Sequence, residues 1–253
     1  MHNKIIFFLS VIGLIVLASC KNTAKKEVDK TVLQGRFVNQ TFLDENKDSL
    51  NFSPRAYSFQ FYFAGSEKVF VDRGFEGDTL TYAAENGNLI LKNASFHGDM
   101  TIVADADGKG FILMDTAFTG KSTSSHYIRV DDMRDGIPVL TSLINDQMVA
   151  GNYQLMEKGN ASGKKVRFLP SGNIEGLKGY RDYALCYTGD CMQTTLPYHN
   201  IITMTTDEGN AVTFAYVVEK EKKSLTIFAI EEQKPGIKGE RRLKEPVFEL
   251  VTF

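Results

Sequence analysis

The sequence predicts an all-β chain built as two small antiparallel β-barrels in tandem, joined by a short helical linker. Three observations predict it. From Leu33 onward, short runs rich in Val, Ile, Phe, Tyr and Thr recur every few residues, the types that fit a pleated, half-buried surface. Asn86-Gly87 and Asp107-Gly108 sit between such runs, and both pairs tolerate the positive φ of a tight hairpin turn. The strand pattern stops at Asp131 and starts again at Gly151. Many short strands with tight turns belong to barrels and sandwiches.

The chain opens with Lys4 followed by an apolar run of 13 residues, Ile5–Leu17. That is shorter than the ~20 residues that span a bilayer but suits the apolar segment of a secretory signal. The run ends in Leu17-Ala18-Ser19-Cys20, which resembles the lipobox of bacterial lipoproteins. The resemblance implies a signal peptide over 1–19, cleavage before Cys20 and acylation of its thiol. Two or more acyl chains anchor stably where one does not, so the expected location is the cell envelope, at the outer membrane. An ordinary signal peptide followed by a chance Cys, or a slightly short membrane anchor, is the alternative. Residues 20–32, polar and without apolar periodicity, read as a flexible tether. The mature chain carries 28 basic against 31 acidic residues.

The first barrel is assigned to residues 33–131. Its strands are expected at Gly35–Phe42, Tyr57–Phe63, Lys68–Asp72, Thr79–Ala84, Leu89–Lys92, Met100–Ala104, Phe111–Phe118 and His126–Val130. Residues 132–150 form the linker, where Leu140, Leu143, Ile144 and Met148 recur at helical spacing and Pro138 fits the first turn. The second barrel occupies 151–253. Its strands are expected at Gly151–Leu155, Lys165–Leu169, Asn173–Leu177, Tyr183–Tyr187, Ile201–Thr205, Val212–Val218, Ser224–Ile230 and Val247–Phe253. Gly35-Arg36-Phe37 and Gly151-Asn152-Tyr153 open the halves at an offset of 116 residues. We read this as divergent duplication, with one undivided barrel as the alternative.

Gly-x-aromatic opening a strand of an eight-stranded unit resembles the lipocalin/calycin signature, with Phe37 or Tyr153 in place of its usual Trp. Gly151–Leu155, Val166–Gly176 and Gly179–Tyr183 resemble the META (HslJ)-type β-domains of envelope lipoproteins. The pairing of two small barrels is similar to NlpE-type lipoproteins. These resemblances imply a non-catalytic envelope module that binds a protein partner or a small amphipathic ligand. An NlpE-type stress sensor and an accessory subunit of a glycan-processing system are the alternatives.

The composition excludes some chemistry. With 29 basic against 31 acidic residues there is no basic stripe to hold nucleic acid. His97, His126 and His199 are scattered, and no Gly-x-Ser-x-Gly or His-Glu-x-x-His string occurs. The adjacent carboxylates Asp131-Asp132 and Glu231-Glu232 would face opposite sides of a strand. We therefore assign no catalytic residue, metal ligand or cofactor, and do not expect an enzyme. Gly159–Lys164 has three residues between its glycines, too few for a phosphate loop, and Asp105–Gly110 places Gly108 too early for a calcium loop. Both read as surface turns.

Cys186 and Cys191 flank Thr188-Gly189, which places them opposite each other on a hairpin. In an oxidising envelope they are expected to form a disulfide that contributes about 2 kcal/mol. A redox pair, or a metal site with His199, is the alternative. Finally, Asp48-Ser49-Leu50, Asp78-Thr79-Leu80 and Asp115-Thr116-Ala117 match an Asp-(Ser/Thr)-aliphatic sequon glycosylated in some Gram-negative envelopes. This makes Ser49, Thr79 and Thr116 candidate O-glycosylation sites.

Overall fold

The computed structural model describes residues 32–47, 57–65, 67–74, 76–95, 98–115, 123–188, 198, 200–221, 223–231 and 241–253. Eight strands form a closed antiparallel barrel in sequence order: β1 (Gly35–Asn39), β2 (Gln60–Phe63), β3 (Lys68–Asp72), β4 (Gly77–Glu85), β5 (Asn88–Ser95), β6 (Gly98–Ala104), β7 (Gly110–Asp115) and β8 (Thr123–Val130). Closure falls to β1, where Phe37 lies opposite Phe61 of β2 and Arg129 of β8. The turn chemistry is as the sequence reads. Asn86 and Gly87 take φ of 54° and 84° between β4 and β5, the geometry of a primed hairpin turn. Between β6 and β7 the Gly108 amide donates to the Asp105 carbonyl at 3.0 Å.

Aromatic side chains fill the barrel. Phe37, Phe61, Phe63, Phe111 and Tyr127 are fully or almost fully buried. Phe111 stacks on Tyr127 at 4.8 Å and meets Phe37 and Phe61 edge-on at 5.3 Å each, arrangements that complement the ring quadrupoles. One buried polar group organises the barrel's end. The Asn39 side-chain amide donates to the Ser58 carbonyl at 3.0 Å and to the Tyr127 hydroxyl at 3.2 Å.

The same residue corrects one expected strand. Gly35–Phe42 is not extended throughout, because Asn39 Oδ1 accepts from the Phe42 amide at 2.9 Å and caps helix α1 (Gln40–Glu45). A short polar side chain satisfying an otherwise orphaned helical N–H is a sufficient stop signal for a strand. Phe118 of the expected strand Phe111–Phe118 lies outside the described residues.

After β8 come a small hairpin that the strand pattern did not predict, β9 (Met133–Arg134) with β10 (Ile137–Pro138), and the linker helix α2 (Val139–Met148). The second unit is an eight-stranded antiparallel sheet. Its strands are β11 (Gly151–Glu157), β12 (Asn160–Phe168), β13 (Ile174–Glu175), β14 (Tyr180–Cys186), β15 (Ile201–Thr206), β16 (Ala211–Glu219), β17 (Ser224–Ile230) and β18 (Leu243–Thr252). Their spatial order is β13-β12-β11-β18-β17-β16-β15-β14. This is the circular order of the first barrel opened between its third and fourth members, with β11 pairing both β12 and β18 as β1 pairs β2 and β8. Where a ladder would join β13 to β14 there is a single bridge, Asn173 to Asp182.

Several expected boundaries shift here: Asn173–Leu177 shortens to Ile174–Glu175, and Val247–Phe253 becomes Leu243–Thr252. Gly159–Lys164 is a turn only at Lys158-Gly159 (φ 52° and 77°), and β12 already runs from Asn160. Tyr183–Tyr187 sits three residues earlier at its start, which leaves Tyr187 outside the strand.

The two units share a core. Val38 on the outer wall of β1, with Phe42 and Leu43 of α1, belongs to the same buried cluster as Val139, Leu140, Ile144 and Met148 of α2 and the interior of the second sheet. Phe59 bridges them, 4.8 Å from Phe42 and 5.9 Å from Tyr187. Polar ties add direction. Gln147 Nε2 donates to the Leu43 carbonyl at 2.6 Å, and Arg36 holds Asp132 at 2.9 Å.

Candidate functional site

Rings fill the interior of the first barrel, and the opposite face of its strands forms the outer wall. Two patches break the polar-out pattern there. On β2 and β3, Tyr62 and Phe70 lie directly opposite each other and are 37% and 44% exposed. Arg36 sets its guanidinium 5.5 Å from the Tyr62 ring centre and is itself held by Asp132 and by Gln60 at 3.2 Å. A Cβ at Gly77 would overlap the Phe70 ring, so glycine at that position makes room for it. On β6 and β7 the second patch is aliphatic. Val103, Ile112 and Met114 are 46%, 37% and 40% exposed, and Val103 lies opposite Ile112.

In the second unit the chemistry is buried. Tyr153 donates to the Val149 carbonyl and Tyr183 to the Leu169 carbonyl, each at 2.9 Å. The Tyr216 hydroxyl is buried with no hydrogen-bond partner among the described residues. Phe168 links the first two rings, 5.9 Å from Tyr153 and 5.3 Å from Tyr183. Burial pushes the Tyr153 phenol up to about 12 and raises Tyr216 as well. Tyr183 is raised by burial and further by negative charge at Tyr153, Tyr216 and Asp146.

These phenols ionise near pH 10 in an unfolded chain and resist ionisation when folded. The stability they contribute is therefore complete below pH 10 and is lost as pH rises toward the folded values. We expect a spectroscopic alkaline titration to show part of the tyrosine absorbance change arriving only with loss of near-UV circular dichroism. If all ten tyrosines titrate near pH 10 with the dichroism intact, the buried cluster is not as described.

Two surface depressions of about 290 and 300 Å³ border the C-terminal residues, the first lined by Thr252 and the second by Phe253. Lys220 and Lys223 line the first with Glu219. In the second, Arg167 is paired with Glu175 at 3.1 Å and Lys165 lies over the Phe253 ring at 5.1 Å, so its cations already have partners. Among the described residues no three His, Cys, Asp or Glu side chains converge as a metal site, and no helix is long and apolar enough to cross a membrane.

The residues singled out in the sequence are widely separated. Cys186 ends β14 and is buried, its Sγ 3.8 Å from the Thr188 carbonyl, whereas Cys20 and Cys191 lie outside the described residues, as do Ser49, Thr116, His97 and His199. Thr79 stands exposed on β4 opposite Phe70, so a glycan there would stand over the aromatic patch. The Asp78 of its sequon is engaged by Arg73 at 2.9 Å. His126 is paired with Asp105 at 3.2 Å, and Asp132 of the adjacent carboxylates serves Arg36.

Sequence reasoning missed both outer patches. Their one signal was the absence of alternation in Phe61-Tyr62-Phe63 and Phe111-Ile112-Leu113-Met114. Compared with known proteins, the chain matches no family model, no curated protein and no solved structure.

Proposed function

We propose that this chain is a bacterial envelope lipoprotein, anchored by acyl chains on Cys20 at the outer membrane, whose tandem lipocalin-like barrels form a non-catalytic module that docks another envelope protein. The observation that carries this reading is the half-buried Arg36 beside the exposed Tyr62 and Phe70. Arg and aromatic residues dominate binding energy at protein interfaces, and here they stand on a rigid barrel wall rather than on a loop. A packed aromatic interior supports the same reading, since a barrel filled by its own side chains leaves no room for a ligand. The buried, unpartnered hydroxyl of Tyr216 favours a second reading for the other unit, a small amphipathic ligand whose polar end satisfies it. A disulfide between Cys186 and Cys191 would fix the end of β14.

Mass spectrometry of the protein solubilised from envelopes without reductant tests these statements together. Intact mass should show diacylglycerol on Cys20, the loss of two hydrogens for the disulfide, and any sugar on Ser49, Thr79 or Thr116. Under native conditions an added protein subunit is expected, and it should dissociate from the double variant Tyr62→Ala, Phe70→Ala. A stoichiometric small molecule unaffected by that variant would support the second reading. Neither addition would sink both.

A further inference from the structure

We propose that the aliphatic wall of β6 and β7 rests on the lipid surface that holds the N-terminus, with Val103, Ile112 and Met114 entering its outer boundary. This inference depends on acylation of Cys20. A sheet with one face in water normally alternates apolar and polar residues, and β7 does not. Phe111 and Leu113 are buried in the core, yet Ile112 and Met114 on the outer face are apolar too. They extend into two cross-strand rows, Val103 with Ile112 and Ile90-Thr101-Met114. No charged side chain stands in these rows on β5, β6 or β7.

Two observations select a membrane as the occupant. The first is where the chain enters the barrel. Arg129 Nη2 donates to the Val32 carbonyl at 2.9 Å, and a Cβ at Gly108, in the β6–β7 turn, would lie 3.0 Å from the same oxygen. The tether is therefore fastened beside this hairpin. Val32 lies twelve chain steps beyond Cys20, a span that reaches about 40 Å when extended and about 20 Å as a coil. An anchor that close gives the hairpin a high effective concentration at the surface, so a few aliphatic side chains suffice where they would not hold an untethered protein.

The second observation is the charge at the rim of the patch. Lys92 is paired with both Glu85 at 2.7 Å and Asp99 at 2.8 Å, Lys109 lies 3.6 Å from Asp107, and Asp105 faces His126, which offsets it only when protonated. This excess of carboxylates disfavours anionic lipid, so docking should occur on phosphatidylcholine alone and, that surface being neutral, be insensitive to salt. The geometry is also consistent with a separate protein-facing wall. The Tyr62 and Phe70 patch lies four strands away in an eight-stranded ring, on the side turned from the bilayer.

The chain contains no Trp, so a single introduced indole reports without background. Ile112→Trp, and independently Met114→Trp, would be placed in the full acylated protein on phosphatidylcholine vesicles whose acyl chains are brominated near the headgroup. Tyr62→Trp serves as the control on the opposite wall, and thermal melts of each variant verify folding. Trp at 112 or 114 should shift to the blue and lose emission to the brominated lipid, while Trp at 62 does neither. Vesicles that float with the protein but leave both indoles unquenched overturn the docking and spare the anchor. Equal quenching at all three positions overturns it as well, as does a blue shift that requires an added envelope protein rather than lipid. Protein that does not float overturns the anchor and the docking together.

Discussion

Phe111→Ala is expected to lower the stability of the first barrel by about 3–5 kcal/mol, read as a fall in the urea midpoint at unchanged slope. The ring is fully buried and stands at the centre of the aromatic set, 4.8 Å from Tyr127, 5.3 Å from Phe37 and Phe61 and 5.8 Å from Phe63. Its removal leaves a cavity that the walls cannot easily close, because β7 is paired with β8 along its whole length and with β6 from Phe111 to Met114, and no edge is free to move inward. The neighbouring substitution provides the contrast. Ile112→Ala, one residue along and facing outward, should change the stability in solution by less than about 0.5 kcal/mol. Similar effects at the two positions would show that the inside-outside assignment of β7 is wrong.

That pair of residues also shows what the sequence can and cannot reveal. Turns are local, so Asn86-Gly87 and Asp107-Gly108 could be placed from their own chemistry, and Asn86, Gly87 and Gly108 take positive φ, though Asp107 does not. The restart at Gly151 is legible for the same reason, since a Gly-x-aromatic opening and a helical spacing before it are both short-range patterns. Phase is different. An unbroken run such as Phe111-Ile112-Leu113-Met114 states that a strand is apolar but not which residues face inward, because alternation is the only local sign of phase. Which member is exposed is decided by pairing with β6 and β8, which are separate in sequence. The gap between β13 and β14 was hidden likewise. It depends on how far β12 and β14 extend before Asn173 meets Asp182, a long-range register that no window of residues contains. Asn39 was legible in principle, as an Asn standing before a run compatible with a helix. The apolar Phe42 three residues later favoured an extended reading instead.

The junction between the units should yield to Phe42→Ala, with an expected loss of about 3–5 kcal/mol and a change in the form of the unfolding curve. Phe42 is buried and packs edge-on against Phe59 at 4.8 Å, and Phe59 in turn meets Tyr187 beyond β14 at 5.9 Å. Around this wedge the core runs without a break from Val38 through Leu140 and Ile144 into the second sheet. Domains joined by small polar interfaces move independently, whereas a large apolar one couples them. The intact chain is therefore expected to unfold in one transition.

Without the Phe42 ring, the contacts left to hold the units include the Phe59 ring against Tyr187, the Gln147 bond to Leu43, the Lys220 ammonium on the Lys47 carbonyl, the exposed Arg36 pair with Asp132 and the residual aliphatic packing. An exposed ion pair of that kind contributes about 0–1 kcal/mol. The variant should show two separate calorimetric transitions and a larger hydrodynamic radius before the second. A single transition at a lowered midpoint would mean that Phe42 stabilises the first barrel alone, and that the second unit is held by α2 rather than by the wedge. A rigid junction also matters to the membrane and partner readings. An anchor beside β6 and β7 already orients Tyr62 and Phe70 on the same barrel, and only if the units move together does it also fix the direction in which the second sheet faces.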